Sequence, residues 1–345
     1  MKQKHVNSKS ENTQPASHGL KYMGVDISLE HLDVFFKGKC TRFPHNEGGV
    51  KEIHKLIKKS KQEVMVVYES TGWLSGRLAS MLLSKQIKQI CLNPARVRNY
   101  ARALGRAAKT DKIDCEMIAR FAEQIGAKSN VSDNPTLLEL KKLQSTQDFF
   151  KRRMAESKTA LAAQTDKDKF IIKCYQKAIA EDEKKIMQLE EKMQRLIEAQ
   201  KELKERYEFY LSHTGVGPCI AKNLLIYMPE LGKMNRREAA SIVGVAPYNW
   251  DSGKMNGKRI PRFGRKKIRS LLYQAVVSSI KLENNPLKMM CDRLTNEHRT
   301  EGKGKREKKV AIVACLRKLI IWLNSDTKKW LAERQDKDPF LIVPA

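Results

Sequence analysis

The sequence has no closely spaced cysteines, no long apolar run and too few acids to balance its bases, and each absence removes a class of protein. Its cysteines are Cys40, Cys91, Cys115, Cys174, Cys219, Cys291 and Cys315, an odd number whose nearest members lie 24 positions apart. That spacing excludes CxxC-type zinc ligation and leads us to expect reduced thiols in a cytoplasmic protein. The longest uncharged run, Phe209 to Ala221, contains His213, glycine and proline. It falls short of the ~18 apolar residues of a spanning helix, so no membrane segment is expected. The first 20 residues are polar and lack an apolar h-region; they read as a flexible arm rather than a signal peptide.

The 345 residues are enough for two or three domains. Hydrophobic residues make up 41 %, which rules out global disorder. Against 39 acids stand 67 lysines and arginines, a net charge of +28. A chain this basic needs a polyanionic partner, and nucleic acid is the first choice over an anionic membrane surface.

Residues 21–125 alternate strand and helix patterns. KYMGVDIS and HLDVFFKG are short β-rich runs separated by Leu29 and Glu30, as in a hairpin. GGVKEIHKLIKKSK is an amphipathic helix, EVMVVYES a buried strand, WLSGRLASMLLSK a helix and IKQICLN a strand closed by Asn93–Pro94. A hairpin followed by β-α-β-α units predicts an α/β sheet covered by helices. Further on, apolar residues at 172, 175, 179, 186, 189, 193, 196 and 203 follow 3-4 spacing, interrupted by Asp182 and Gln200. With no Gly or Pro from Ile171 to Leu211, we expect a long helical coiled-coil spacer, with a helical hairpin as the alternative. From His213 the pattern becomes short helices and glycine turns, a mostly helical second domain.

Four acids stand out. Asp26 lies inside the apolar strand GVDIS, Glu69 ends VVYES, and Asp111 and Asp114 are three apart in KTDKIDC, on one helical face. Together they form a hard oxygen set suited to Mg²⁺, with Mn²⁺ as an alternative ion. Singly, each reads as a cap or a charge partner. An unpaired Asp26 in an apolar strand would be costly, and a cation is a natural compensator.

Basic residues form three patches: Arg96, Arg98, Arg102, Arg106, Lys109 and Lys112; then Lys254, Lys258, Arg259, Arg262, Arg265, Lys266, Lys267 and Arg269, with no acid between 254 and 269; and five more in 303–309. Phosphate contact is the better reading, a solvated face the plainer one. Trp73, Tyr100, Tyr248, Trp250 and Phe263 are candidates for base stacking, with core packing as their default. Thr214–Gly215–Val216–Gly217–Pro218 resembles a helix-hairpin-helix turn, in which Gly215 and Gly217 bring backbone N–H groups to a phosphate.

The ordered set GVDIS, VVYESTG, NPARVRNYARALGRAAKTDKIDC, TGVGPCIA, VGVAPYNWDSGKMNGKRIPRFGR and IRSLLYQA resembles the IS110/IS1111 transposase family, which includes the Piv-type DNA invertases. The resemblance implies an α/β N-terminal domain of RNase H-like (RuvC-like) fold whose DEDD set is Asp26, Glu69, Asp111 and Asp114. With the helical coiled-coil region and mostly α second domain read above, it also implies that the C-terminal domain is a transposase domain with a catalytic serine, here Ser252. The layout that follows is an arm at 1–20, a RuvC-like domain at 21–130, a helical region at 131–211, a transposase domain at 212–330 and a tail at 331–345. It further implies Mg²⁺-dependent DNA strand exchange through a serine–DNA link, donor and target DNA as partners, a structured guide RNA, and dimers that become tetramers on DNA. A junction-resolving nuclease that activates water, a Piv-type invertase and a non-enzymatic nucleic-acid binder are the rivals. Val245 stands where Leu is common in the family, Phe263 where Gly is frequent and Cys115 where Ala is usual. Neither His213 nor His298 is near Ser252 in sequence, which leaves a Ser–His dyad unsupported.

Overall fold

The computed structural model describes residues 20–105, 111–127, 134–164, 168–248, 260–261, 263–300 and 308–337. The chain divides into two compact units, Met1–Lys142 and Leu143–Ala345.

The first unit is a sheet covered by helices. Strands β1 (Leu20–Ile27) and β2 (His31–Phe36) pair antiparallel as expected, and β3 (Lys39–Pro44) adds a third antiparallel strand. That strand carries no sequence signature of a core element: KCTRFP is exposed along most of its length, as an edge strand can be. It is reached through Lys37 and Gly38, both at positive φ (49° and 77°), the conformation of a tight hairpin turn. Helix α1 (Glu47–Ser60), capped by the Asn46 side chain, leads to β4 (Glu63–Glu69), which lies parallel to β1. Helix α2 (Gly72–Ser84), β5 (Gln89–Leu92), α3 (Pro94–Ala103) and α4 (Asp111–Gln124) follow. The sheet order is β3-β2-β1-β4-β5.

Both faces of the sheet are buried, and alternation along the strands sorts them. Met23, Val25, Ile27, Val64, Val66 and Tyr68 pack with Val50 and Ile53 of α1 and Leu78 and Leu82 of α2. Met65, Val67, Ile90 and Leu92 pack with Val97 of α3 and Met117, Ile118, Phe121 and Ala122 of α4.

The second unit is helical apart from a two-residue ribbon. Helix α5 (Pro135–Ala162) crosses the boundary between the units, and α6 (Lys169–Glu198) folds back on it. Arg153 grips Asp182 with both guanidinium arms, its Nε donating at 2.7 Å, and Gln147 Nε2 donates to Glu190 at 2.6 Å. This is the helical-hairpin alternative. The single helix expected from Ile171 to Leu211 is two: α6 ends at Glu198, Gln200 takes an extended conformation (φ −115°, ψ 112°), and α7 (Lys201–Leu211) starts anew. The turn there needs neither glycine nor proline, so residue type gave no sign of it. Helices α8 (Pro218–Tyr227) and α9 (Arg236–Val243) precede the ribbon β6 (Pro247–Tyr248) and β7 (Ile260–Pro261). Then come α10 (Lys266–Ser279), α11 (Pro286–Thr300) and α12 (Lys308–Lys337), with α12 packing on α9, α10 and α11. Asn324 of α12 ties down the 232–234 loop: its Oδ1 accepts from Gly232 N at 2.9 Å and its Nδ2 donates to the Met234 carbonyl at 2.7 Å. No described helix is long and apolar enough to cross a membrane.

Candidate active site

The carboxylates of the first unit are organised by strand register. Val25 of β1 pairs with Tyr68 of β4; Asp26 follows Val25 one residue before β1 ends at Ile27, and Glu69 follows Tyr68 as the last residue of β4. Alternation puts both on the face of Gly24 and Val67, which is the α4 face. Helix α4 sits directly against β1 because Gly24 has no side chain: a Cβ there would strike the Cys115 carbonyl and the Ala119 backbone nitrogen. Asp114 is the residue before Cys115 in that helix, and Asp111 is its first residue, one turn earlier. Asp26 and Glu69 thus lie on one sheet face, and Asp114 lies in the helix packed against that face. Asp111 is placed by its backbone alone, and its side chain lies outside the described residues.

Strand β2 brings a carboxylate that sequence reading missed. Asp33 pairs directly with Asp26 across β1 and β2 and is 9 % exposed. Arg42 of β3 holds it in a two-armed ion pair, with Nε to Oδ1 at 2.9 Å and Nη2 to Oδ2 at 3.0 Å. An Asp within HLDVFF is the same kind of signal that marked Asp26. Its pairing with Arg42 accounts for its charge. The Asp26 Oδ1 accepts from the Ile27 backbone N–H at 3.0 Å. Burial holds the Cys115 thiol strongly protonated, and the Cys40 thiol 3.6 Å away and the charges of Asp33 and Asp26 act in the same direction. Among the described residues no three His, Cys, Asp or Glu side chains form a group that could hold a metal ion. The donor chemistry of Asp26, Glu69 and Asp114 is nonetheless the all-oxygen kind that suits Mg²⁺.

Helix α3 follows β5, its start capped by Asn93 and set by Pro94 at its first position. Val97 faces the core, which leaves Arg96, Arg98 and Arg102 exposed. The Arg96 guanidinium lies over the Phe121 ring at 5.3 Å. Arg106 and Lys109 lie outside the described residues.

In the second unit, Ser252 and the bases Lys254, Lys258, Arg259 and Arg262 fall outside the described residues, between β6 and α10. The bases that follow are mostly engaged within the protein. Arg265 donates to the Tyr227 carbonyl and pairs with Glu230. Lys267 pairs with Asp148 and lies 4.3 Å above the Tyr227 ring. Arg269 Nη1 donates to the carbonyls of Phe263 (2.6 Å), Val243 and Gly244. Lys266 is exposed. Among the aromatic candidates, Tyr100 packs on Phe121 and the Tyr248 hydroxyl bonds Ser241 at 2.7 Å, while Trp73 is 65 % and Phe263 76 % exposed.

The glycine turn joins α7 to α8. Gly215 has φ +85° and lies against Ser279 of α10, where a Cβ would not fit. Gly217 caps α8 through its backbone, its carbonyl accepting from Ile220 and Ala221. Beside the turn is a cavity of about 570 Å³ lined by residues 212–217 with Gln274 and Ser278. His213 is accounted for locally: its Nδ1 bonds the Phe209 carbonyl at 2.9 Å and its Nε2 lies 3.6 Å from Asp326.

A family model for DEDD transposases of the IS110 type matches residues 23–167, and a second, for the transposase IS116/IS110/IS902 family, matches residues 207–289. Both describe transposases, so the chain is a DNA-processing enzyme of the transposase and recombinase class. It belongs to the IS110 family. Among its relatives are the pilin gene-inverting proteins of Moraxella bovis and Moraxella lacunata, each 28 % identical over 322 residues, with 87 % of this chain and 93 % of the relative covered.

Proposed function

We propose that this protein exchanges DNA strands through a covalent serine–DNA intermediate, using a divalent cation held by Asp26, Glu69, Asp111 and Asp114. The observation that supports the reading is that Asp26 and Glu69 directly follow the paired Val25 and Tyr68, on the sheet face against which Gly24 seats α4, the helix that bears the other two acids. The order of an antiparallel hairpin followed by parallel β-α-β units supports a RuvC-like domain. Mg²⁺, or Mn²⁺ in its place, supplies Lewis-acid stabilisation of the charge that builds on the scissile phosphate.

The chain's own residues do the rest. Ser252 Oγ attacks phosphorus, and the 3′-oxygen leaves as a hydroxyl after taking up a proton. Serine is a weak nucleophile until its proton has an acceptor. With His213 committed to Phe209 and Asp326, that acceptor is a carboxylate of the assembled site. The 3′-hydroxyl of the partner strand then attacks the phosphoserine and restores the free serine. One ester replaces another at each step, so no nucleotide hydrolysis is required. Exposed Arg96, Arg98 and Arg102 position DNA through its phosphates, as do the bases at 254–262 and the N–H groups near Gly215 and Gly217. A structured RNA as guide, a tetramer on DNA and a site shared between the acidic domain of one protomer and the serine loop of another complete the proposal.

The relatives named for pilin gene inversion favour a second form of the same chemistry, in which both exchange sites lie on one DNA molecule and the segment between them is inverted.

Labelled junction DNA tests the reading on a denaturing gel. Ser252→Ala is expected to abolish the protein–DNA adduct and leave DNA binding unchanged. Asp26→Asn is expected to lower cleavage at least about a hundredfold, the loss of several kcal/mol of charge stabilisation. A Ser252→Ala protein that still forms the adduct would show that another side chain is the nucleophile, and one that releases free 5′-phosphates at the wild-type rate without an adduct would establish water as the nucleophile.

A further inference from the structure

Phe263 sits where its backbone suits glycine. Its φ is +64°, in the left-handed region that a bulky L-residue rarely enters. Its ring is 76 % exposed. The backbone is clamped from every side without help from that ring. The Phe263 carbonyl accepts from Arg269 Nη1 at 2.6 Å, and the same nitrogen reaches the Val243 and Gly244 carbonyls at the end of α9. Gly264, at φ +76°, backs onto Gly244 so closely that neither glycine has room for a Cβ. Arg265 N–H donates to the Ile242 carbonyl at 2.7 Å. The ring itself meets Tyr248 edge-on, with centroids 5.9 Å apart. Glycine would fill this position at less conformational cost, and the exposed ring buries little in return. A strained, exposed aromatic on a rigid base is a platform held out for a ligand.

Its surroundings select the ligand. The chain carries a net charge of +28, and Lys266 stands exposed three residues on, so the partner is anionic. An aromatic face on a basic protein recognises nucleobases by stacking, and only unpaired bases offer a free face. We propose that Phe263 is a stacking platform for an unpaired nucleobase of the DNA or RNA that this protein handles. The inference rests on the strand-exchange reading above and adds to it a residue that touches nucleic acid without doing chemistry.

The test uses the full-length protein and fluorescence anisotropy with three probes: a single-stranded DNA, an RNA of the same sequence and the matching DNA duplex. Phe263→Gly is expected to weaken binding to a single-stranded probe about tenfold, to leave the duplex unaffected and to raise Tm by relieving backbone strain. Phe263→Trp is expected to bind as the wild type does. Loss confined to the DNA probe assigns the base to DNA, and loss confined to the RNA probe assigns it to RNA. Phe263→Gly binding both single strands within twofold of wild type overturns the proposal. So does a lower Tm, which would make the ring a structural prop, or a change in self-association, which would make it a protein contact. If the wild-type protein binds neither single strand yet forms the Ser252 adduct on duplex DNA, the platform is refuted while strand exchange stands.

Discussion

At the scale of single residues, position in the register matters more than residue type. Asp26 and Asp33 are both aspartates in apolar strands and face each other across one pair of strands, yet Arg42 holds Asp33 in a two-armed ion pair, while Asp26 follows Val25, the register partner of the residue before Glu69. Gly24 decides how near α4 comes to β1. Gly24→Ala is expected to push the helix off β1, because the new methyl meets backbone atoms that cannot rotate away. Overpacking of this kind costs about 1–3 kcal/mol, readable as a lower midpoint in urea. DNA cleavage should fall further than the loss of folded protein explains, since Asp111 and Asp114 move with the helix; a variant that is less stable but cleaves fully per folded molecule would show that the helix seating is irrelevant to the site. The basic loop teaches a related lesson. Arg265, Lys267 and Arg269 read from sequence as part of a phosphate-binding run, whereas the structure gives each of them carbonyl or carboxylate partners within the protein. Nothing in the residue types of GRKKIR separates the two roles.

At the scale of elements, the helical hairpin is pinned by charge. The Arg153 ion pair lowers the pKa of Asp182 from 3.8, with the attraction of Lys185 adding to it. A carboxylate whose folded pKa is depressed stabilises the fold above its unfolded pKa and loses that contribution as pH falls through the folded one. The α5–α6 pairing should therefore be unaffected by acid down to about pH 4 and loosen below it, measured as faster amide hydrogen exchange in both helices. Asp182→Asn is expected to remove this pH dependence and raise exchange at neutral pH; equal exchange in mutant and wild type at pH 7 would show that the pair contributes nothing. The heptad pattern across 172–203 was legible and did mark helices that pack against others. The break at Gln200 was not, because a change of backbone direction there required no special residue. Edge strand β3 was hidden for a similar reason: a strand with one neighbour and little buried surface leaves no alternation to read.

At the scale of the whole molecule, the net charge of +28 dominates. Binding to DNA should be strongly salt-dependent, because each neutralised phosphate releases counterions. Replacing the exposed Arg98 and Arg102 together by alanine is expected to reduce the slope of log K against log salt by about two, with Tm unchanged. Arg269→Ala should do the reverse, lowering Tm by freeing the Gly244–Phe263 clamp while altering the slope less. Equal slopes for wild type and the double variant would place DNA elsewhere on the protein.

Composition, spacing and motif order by themselves determined the nucleic-acid partner, the α/β beginning and helical continuation, and the membership in a transposase family, because those properties are carried by which residues occur and in what sequence. Strand register, the seating of a helix on a glycine, the partner of each charge and the strain at Phe263 depend on atoms far apart in the chain. Only folding brings those atoms within bonding distance, so tertiary structure alone decided which acids share a sheet face and which cations already have a partner within the protein.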